Sequence, residues 1–353
     1  MIITILLCMV SNVYFTKKFD IESISNLFKK LLLEQKIEDN KQIALKVHFG
    51  EKGNSRFVKP EQIKPIVELL KSISSNLFVT DTNTLYRGMR TNSTDHIQIA
   101  KDHGFGELNI PIIIADGELG ADEVEISVNL KNFKTVKIGK KIVESDVIVY
   151  ISHFKGHVLF GFGGAIKNAS MGTGSRAGKL AMHSKIMPSV MTEKCTGCHI
   201  CEKNCDVEGI IVDKIDEKAI INENCIGCAK CIAVCPQNAI LIPWHGAVPN
   251  NAMERGAEYA LGALKGKQNY FVTFINNISK DCDCMADTEI IGEDVGIVAS
   301  LDPLAADKAA YDLTIKKNGK DIFKEKTRDG TSIFDYGQEI GLGEKEYNLV
   351  DID

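Results

Sequence analysis

The sequence predicts an α/β fold, a largely parallel sheet carrying helices, into which a smaller, cysteine-rich α+β module is inserted. Three observations predict it. Apolar residues alternate along the chain between short buried runs and stretches with helical spacing. Eight of the 11 cysteines fall between Cys195 and Cys235. The alternation then resumes beyond residue 243, so the cysteine segment interrupts one domain and is not appended to it. The implied boundaries are 11–187 for the first part of the α/β domain, 188–243 for the module and 244–353 for the second part. A length of 353 residues suits two or three units at ~150 residues each. With 44% hydrophobic residues, 25% charged residues and 8 prolines, the composition excludes disordered and low-complexity architectures.

Taken in order, VYF at 13–15 and IALKVHF at 43–49 read as strands, and Ile21, Ile24, Leu27, Phe28, Leu31 and Leu32 recur between them at helical spacing. A second amphipathic stretch runs from Ile63 to Ile73, followed by a strand LFVTDT at 77–82, a helix from Asp95 to Lys101 and a strand IPIII at 110–114. Such repetition argues for a parallel sheet. Between 121 and 138 the strict alternation of EVEISVNL and TVKI predicts a hairpin excursion, and VIVYIS at 147–152 is a buried strand. After the cysteines, Met253, Ala257, Leu261 and Leu264 give a helical face. YFVTFI at 270–275 and VGIVAS at 295–300 then read as strands, and Pro303 opens a helix at its first turn.

The formal charge of −5 leaves no basic excess to neutralise phosphates, which excludes a general nucleic-acid binder. No stretch reaches the ~18 to 20 apolar residues that span a bilayer, so no membrane role is expected. The opening MIITILLCMV lacks a basic n-region and a small-residue cleavage site, and so does not read as an export signal. Met9 reads as the start of the folded chain, with Cys8 in a dispensable leader. An odd cysteine count crowded into one stretch suits metal ligation in a reducing compartment better than a secreted disulfide framework, and predicts a cytoplasmic protein.

The cysteine segment reads CTGCHICEKNC at 195–205 and CIGCAKCIAVCP at 225–236. Both runs follow C-x2-C-x2-C-x3-C and repeat at an offset of 30, which also superposes Glu193 on Glu223, Gly197 on Gly227 and Ile210 on Ile240. The pattern resembles the bacterial two-cluster ferredoxin, in which each run gives three thiolates to one [4Fe–4S] cluster and its fourth to the other. The resemblance implies two such clusters as cofactors, one on Cys195, Cys198, Cys201 and Cys235 and one on Cys225, Cys228, Cys231 and Cys205. A pair of C-x2-C zinc sites would need neither the third cysteine at the same step nor the fourth after three residues. One position departs from the family: the first run ends Cys205-Asp206 where proline is usual, as in Cys235-Pro236.

Elsewhere, KVHFGE at 46–51, DTNTLYRGMR at 81–90 and SHFKGH at 152–157 each begin at the carboxyl end of a strand, where open α/β sheets bind ligands. Lys46, His48, His153, Lys155 and His157 are therefore the candidates for proton donation or for holding a small anionic ligand. Glycine recurs seven times from Gly156 to Gly178, punctuated by Lys155, Lys167, Asn168, Arg176 and Lys179. That loop either lets backbone approach an anion or packs against the cysteine module. MGTGSRAGKL is no P-loop, since Leu180 stands where a hydroxyl should hold magnesium, and GFGG at 161–164 is an incomplete dinucleotide fingerprint. In KDCDCMAD at 280–287 an extended chain would put Cys282 and Cys284 on one face and Asp281 and Asp283 on the other, an extra metal site if His48, His153, His157 or His183 converges there. Close spacing disfavours a disulfide between the two cysteines. His96, His103, His199 and His245 read as satisfied core or surface residues.

Together KVHFGE, DTNTLYRG, SHFKGH with GFGGAIKN, the two cysteine runs, and DCDCMAD followed by GIVASLDPLAADKAAYDL are similar to the domain-of-unknown-function 362 family, uncharacterised iron–sulfur-centre proteins with a ferredoxin module. The resemblance runs from about Val13 to about Leu313. It implies a cytoplasmic redox protein: electrons from a soluble partner pass through two clusters to a site in the α/β cleft, as in a ferredoxin-linked oxidoreductase. The alternative is a non-enzymatic carrier whose α/β domain docks a partner, which the 5 basic and 8 acidic residues of 188–244 would suit. A scaffold or sensor of iron–sulfur clusters would need labile ligands.

Overall fold

Successive side chains of each central strand are buried on opposite faces of one sheet, which is why these strands read as continuous apolar runs. In Val147–His153, Ile148 and Tyr150 enter one core, whereas Val147, Val149 and Ile151 enter the other. In this computed structural model, which describes residues 10–183, 187–242, 251–286, 288–324 and 329–353, the sheet has eight strands. Residues 1–9, which include Cys8 and Met9, His245 and the 243–244 boundary lie outside the described residues.

The strands lie in the order Tyr347–Asp351, Ser11–Thr16, Gly296–Ser300, Gln268–Ile275, Val147–His153, Ile43–Lys46, Leu77–Asp81, Ile112–Ile114. Every pairing is parallel except those of Gly296–Ser300, which runs antiparallel to both neighbours. The largely parallel sheet is thus present, with one reversed strand that VGIVAS gave no means of orienting. Tyr347–Asp351 went unread because its residues are half-buried or exposed and show no apolar run.

Helices cover both faces. On one side Ile21–Glu34 buries Ile24, Leu27, Phe28 and Leu31, and starts at Asp20, whose carboxylate accepts the Ser23 N–H at 2.9 Å. Pro60–Lys71 and Ser93–Asp102 share that core. On the other side Ala165–Ser170, Ala252–Leu264 and Pro303–Asn318 pack through small residues. Asp302 caps the last of these, accepting from Leu304 and Ala305 at 2.8 and 3.0 Å. The hairpin excursion is Glu123–Ser127 with Thr135–Gly139.

Val147–His153 and Gln268–Ile275 are adjacent and parallel, so the cysteine segment leaves and rejoins the chain between two neighbouring strands of one sheet. That segment has a third core of its own, built on Ile210, Val212, Ala219, Ile232 and Ile240 with Cys195, Cys201 and Cys235. Two short antiparallel pairs frame it, Ser189–Val190 with Ile240–Leu241 and Ile210–Val212 with Ala219–Ile221. Two short helices, Ile200–Lys203 and Lys230–Val234, complete the segment.

Candidate functional site

Ile43–Lys46 and Val147–His153 pair side by side, yet the chain leaves them in opposite directions: the first leads to Leu77–Asp81 on one flank, the second to Gln268–Ile275 on the other. A crevice opens where strand order diverges in this way. Here it is a cavity with about 820 Å3 of empty space, open to solvent. All five candidates read from the sequence, Lys46, His48, His153, Lys155 and His157, line it. Asp81, Tyr86 and Arg90 join them from Leu77–Asp81 and the loop after it, and Lys167, Asn168, Lys179 and His183 from the helices Ala165–Ser170 and Arg176–His183. Five lining side chains are cationic, Lys46, Arg90, Lys155, Lys167 and Lys179, against the single carboxylate of Asp81. The acids that balance them stand behind the wall.

Asp81, the last residue of its strand, organises one side. Its Oδ1 lies 2.9 Å from Lys46 Nζ, and its Oδ2 lies 3.5 Å from Arg90 Nη1 and 3.6 Å from His96 Nε2. Burial pushes its carboxyl up, but Lys46 and His96 outweigh this and hold it well below the usual range. Lys46 also meets Asn168 Oδ1 at 2.9 Å, and burial lowers its pKa despite Asp81. His48 is kept neutral: burial, then the Arg90 guanidinium 2.9 Å from its Nε2, lower its pKa well below the ordinary value. The expected proton donor is therefore a neutral imidazole.

Asp283 organises the opposite side. It bonds His153 Nδ1 at 2.9 Å and Lys155 Nζ at 2.8 Å, and these two neighbours outweigh its burial to depress its pKa strongly. His153 Nε2 meets the Asn276 carbonyl at 2.8 Å. Both ring nitrogens are thus committed to the protein, and His153 holds Asp283 in place; it is not a free proton donor. His157 Nδ1 accepts the N–H groups of Leu159 and Phe160 at 3.1 and 3.0 Å.

Of the two alternatives for the glycine loop, packing is seen, but Gly156 and Gly164 pack against the α/β domain, whereas Leu180, just beyond the last glycine, packs in the core of the cysteine segment. A Cβ on Gly156 would fall 2.1 Å from the Lys280 carbonyl oxygen, and one on Gly164 would fall 2.2 Å from Asp307 Oδ1. Asp307 also takes the N–H groups of Ala165 and Ile166 at 2.6 and 2.9 Å, so the donors that open this short helix are spent on a protein carboxylate. Burial raises the Asp307 pKa to about 7.

The 280–287 segment corrects two expectations. It turns at 283–284 and is not extended, and Cys282 is disulfide-bonded to Cys284, with Cα atoms 5.3 Å apart. The turn brings the two Cα atoms within disulfide reach, so the pair offers no free thiolates as an extra metal site. The turn also swings Asp283 inward while Cys284 borders the cavity. Among the described residues, no three His, Cys, Asp or Glu side chains converge as ligands of one ion.

In the cysteine segment, Cys195, Cys198, Cys201 and Cys235 surround one cavity of about 330 Å3. Cys225, Cys228, Cys231 and Cys205 surround a second of about 360 Å3. The fourth cysteine of each run therefore belongs to the other run's cavity. Both walls are otherwise almost wholly apolar, with Val212, Ala219 and Ile240 in the first and Ile210, Ile221 and Ala229 in the second. The 30-residue repeat extends to the backbone: φ is positive at Gly197 and Gly227, at His199 and Ala229, and at Glu208 and Asn238. Such left-handed residues turn successive N–H groups inward. Cys205 Sγ accepts from Gly209 at 3.1 Å, and Cys235 Sγ accepts from Ala239 at the repeated position, 3.3 Å away. Cys195 Sγ accepts from Ala219 at 3.3 Å. Burial, then the neighbouring cysteines, push the Cys231 thiol up to about 12.

The two regions touch at Leu180, in the helix Arg176–His183, which packs in the core of the cysteine segment, and at Leu85 and Arg87. Leu85 packs in the core of the cysteine segment and also lines the cationic cavity. Tyr86 Oη donates to the Cys284 carbonyl at 3.2 Å, and Arg87 donates to the Cys235 carbonyl. Asp206, the departure noted in the first run, pairs with Lys230 of the second at 2.5 Å. No motif assigns Asp81 a role; a carboxylate ending a buried strand is the available signal. Asp283 was assigned to a face away from the cysteines, and nothing local announced that it turns inward.

Among the described residues no helix is long and apolar enough to cross a membrane. No curated protein matches the chain. Among solved structures it is similar to the lactate racemase apoprotein of Thermoanaerobacterium thermosaccharolyticum, at 18% identity over 65% of this chain and 48% of that one, with a TM-score of 0.34. It is also similar to a structural-genomics protein from Thermotoga maritima, at 10% identity over 86% of this chain and 60% of that one, with a TM-score of 0.43. The chain thus spans about half to three-fifths of the length of these proteins. The model of the family described as Domain of unknown function (DUF362) matches residues 43–312, and the chain belongs to that family.

Proposed function

We propose that the chain is an iron–sulfur redox protein that holds two [4Fe–4S] clusters in a ferredoxin-like module and an anionic ligand in the adjacent cavity. The observation that carries this reading is the exchange of fourth cysteines between the two sulfur-lined cavities. Four thiolates, apolar walls and inward N–H groups are what a cubane needs from a protein. A cubane binds each thiolate to a different iron, so its ligands stand farther apart than those of one ion. A cluster on each set supplies one-electron transfer. The N–H groups of Gly209, Ala219 and Ala239 offset thiolate charge. Leu85 and Arg87 link the Cys235 set to the loop that borders the cationic cavity.

In the cavity, Lys155 spends one N–H on Asp283 and Lys46 spends two on Asp81 and Asn168, which leaves donors for a carboxylate or phosphate. The cationic lining raises the local concentration of such anions. The test is purification without oxygen, followed by iron and sulfide analysis. We expect about eight of each per chain, and fewer than about four would sink the cluster assignment. Lys155→Met then separates two outcomes: lost turnover with intact iron supports an oxidoreductase, and unchanged electron transfer to an external acceptor supports a carrier.

A further inference from the structure

Four of the five cations lining the cavity are spoken for. Lys46 bonds Asp81 and Asn168, Arg90 meets Glu51 at 3.3 Å and Asp81 at 3.5 Å, and Lys155 bonds Asp283. Lys179 Nζ donates to Thr82 Oγ1 at 2.5 Å and to the Gly174 carbonyl at 2.7 Å. Lys167 differs: among the described residues its amine has no hydrogen-bond or ion-pair partner, although it lines the same cavity. Its stem rises from the helix Ala165–Ser170 over Gly163, where an added Cβ would come within 3.0 Å of Lys167 Cδ. The bare glycine backbone therefore leaves room for that stem. Burial, then Lys155, with Arg90 and Lys46 adding to it, pushes the Lys167 pKa down to about 7, with Asp283 opposing. At neutral pH about half of such an amine is uncharged, on the order of a thousand-fold more than for an ordinary lysine. A lysine desolvated beside other cations is an activated nucleophile.

We propose that Lys167 is a reactive amine that forms an imine with the carbonyl carbon of an anionic aldehyde or 2-oxo acid bound in this cavity, a reading that rests on the cavity taking an anionic ligand. The amine lone pair makes the new carbon–nitrogen bond, and the carbonyl oxygen leaves as water with the two hydrogens of the amine. No oxidant or reductant is consumed. The anionic group of the substrate meets the remaining donors of Lys155 and Lys46.

The probe is pyridoxal 5′-phosphate, an anionic aldehyde, added to the intact protein at pH 7, reduced with borohydride and located by peptide mass spectrometry. We expect one adduct per chain, on Lys167, formed at least ~10-fold faster than on exposed lysines such as Lys29 or Lys52. It should be lost in Lys167→Met, whose urea midpoint should stay at the wild-type value because no bond is broken, and slowed by inorganic phosphate. Labelling spread over surface lysines, or unchanged in Lys167→Met, overturns the proposal. Phosphate binding without a Lys167 adduct overturns the imine and leaves the anionic-ligand reading standing. A Lys167 adduct that phosphate does not slow overturns the anionic-ligand reading and the substrate class with it.

Discussion

The sulfur-lined cavities are each closed by residues from one stretch of chain, Pro188 to Ile240, and their geometry repeats at a fixed offset. The cationic cavity instead draws Lys46, Asp81, Lys155, Lys167 and Asp283 from segments separated by most of the α/β domain. In the first region backbone conformation makes the site, through left-handed residues that point N–H groups at sulfur. In the second, the sheet delivers strand ends to one place, and buried ion pairs then hold the side chains. The contrast teaches that the first site should fail one ligand at a time and the second through loss of charge balance.

The sharpest break would come from the exchanged cysteines. Cys235→Ser should halve the iron content, with the loss falling on the Cys195 set, and Cys205→Ser should do the same for the Cys225 set. Electron paramagnetic resonance of each reduced variant checks which set survives. If Cys235→Ser instead removes the iron held by its own run, the exchange is wrong.

Next in size is Asp81→Ala, which leaves Lys46 buried without its carboxylate and Arg90 with Glu51 alone. It should cost about 3 to 5 kcal/mol in urea unfolding. No mutation at a single exposed carboxylate of the cysteine segment should approach that figure.

His96, buried against Phe49, sharpens the comparison through pH. Burial lowers its pKa from 6.5 to about 4, with Asp81 opposing. A histidine depressed in this way binds its proton more readily when unfolded. Its contribution is therefore complete above about pH 6.5 and is lost as pH falls toward about 4, by about 3 kcal/mol. Stability of His96→Gln measured from pH 7 to pH 4 should show a shallower decline than wild type; parallel curves would contradict the assignment.

Gly164→Ala tests packing in the glycine loop. The new methyl would meet Asp307 Oδ1 at 2.2 Å and Phe154 at 2.9 Å, and should destabilise by about 1 to 3 kcal/mol. Smallest of all, Asp206→Ala removes an ion pair with an exposed carboxylate and should change the unfolding free energy by less than about 1 kcal/mol. A larger effect would mean that this pair, joining the two runs, stands in for the missing proline.

The sequence by itself determined the cysteine inventory, because ligand spacing on a turn is a local property and survives as C-x2-C-x2-C-x3-C. Strand and helix identity was also local: Val147–His153 shows itself as an apolar run, and Ile21–Glu34 shows itself by its period. Strand order and direction depend on pairings between remote segments, so the reversal of Gly296–Ser300 and the edge strand Tyr347–Asp351 left no mark. The candidate cavity was half legible. Polar runs after strands marked Lys46, His48, His153, Lys155 and His157, but their states were decided by the surroundings the fold supplies: burial and Arg90 hold His48 neutral, Asp283 and Asn276 occupy His153, and Lys167 is left without a partner among the described residues. Spacing along a chain can specify which atoms are neighbours within one turn. Only the tertiary structure decides which charges share a low-dielectric pocket, because a buried charge is set by whatever the fold places beside it.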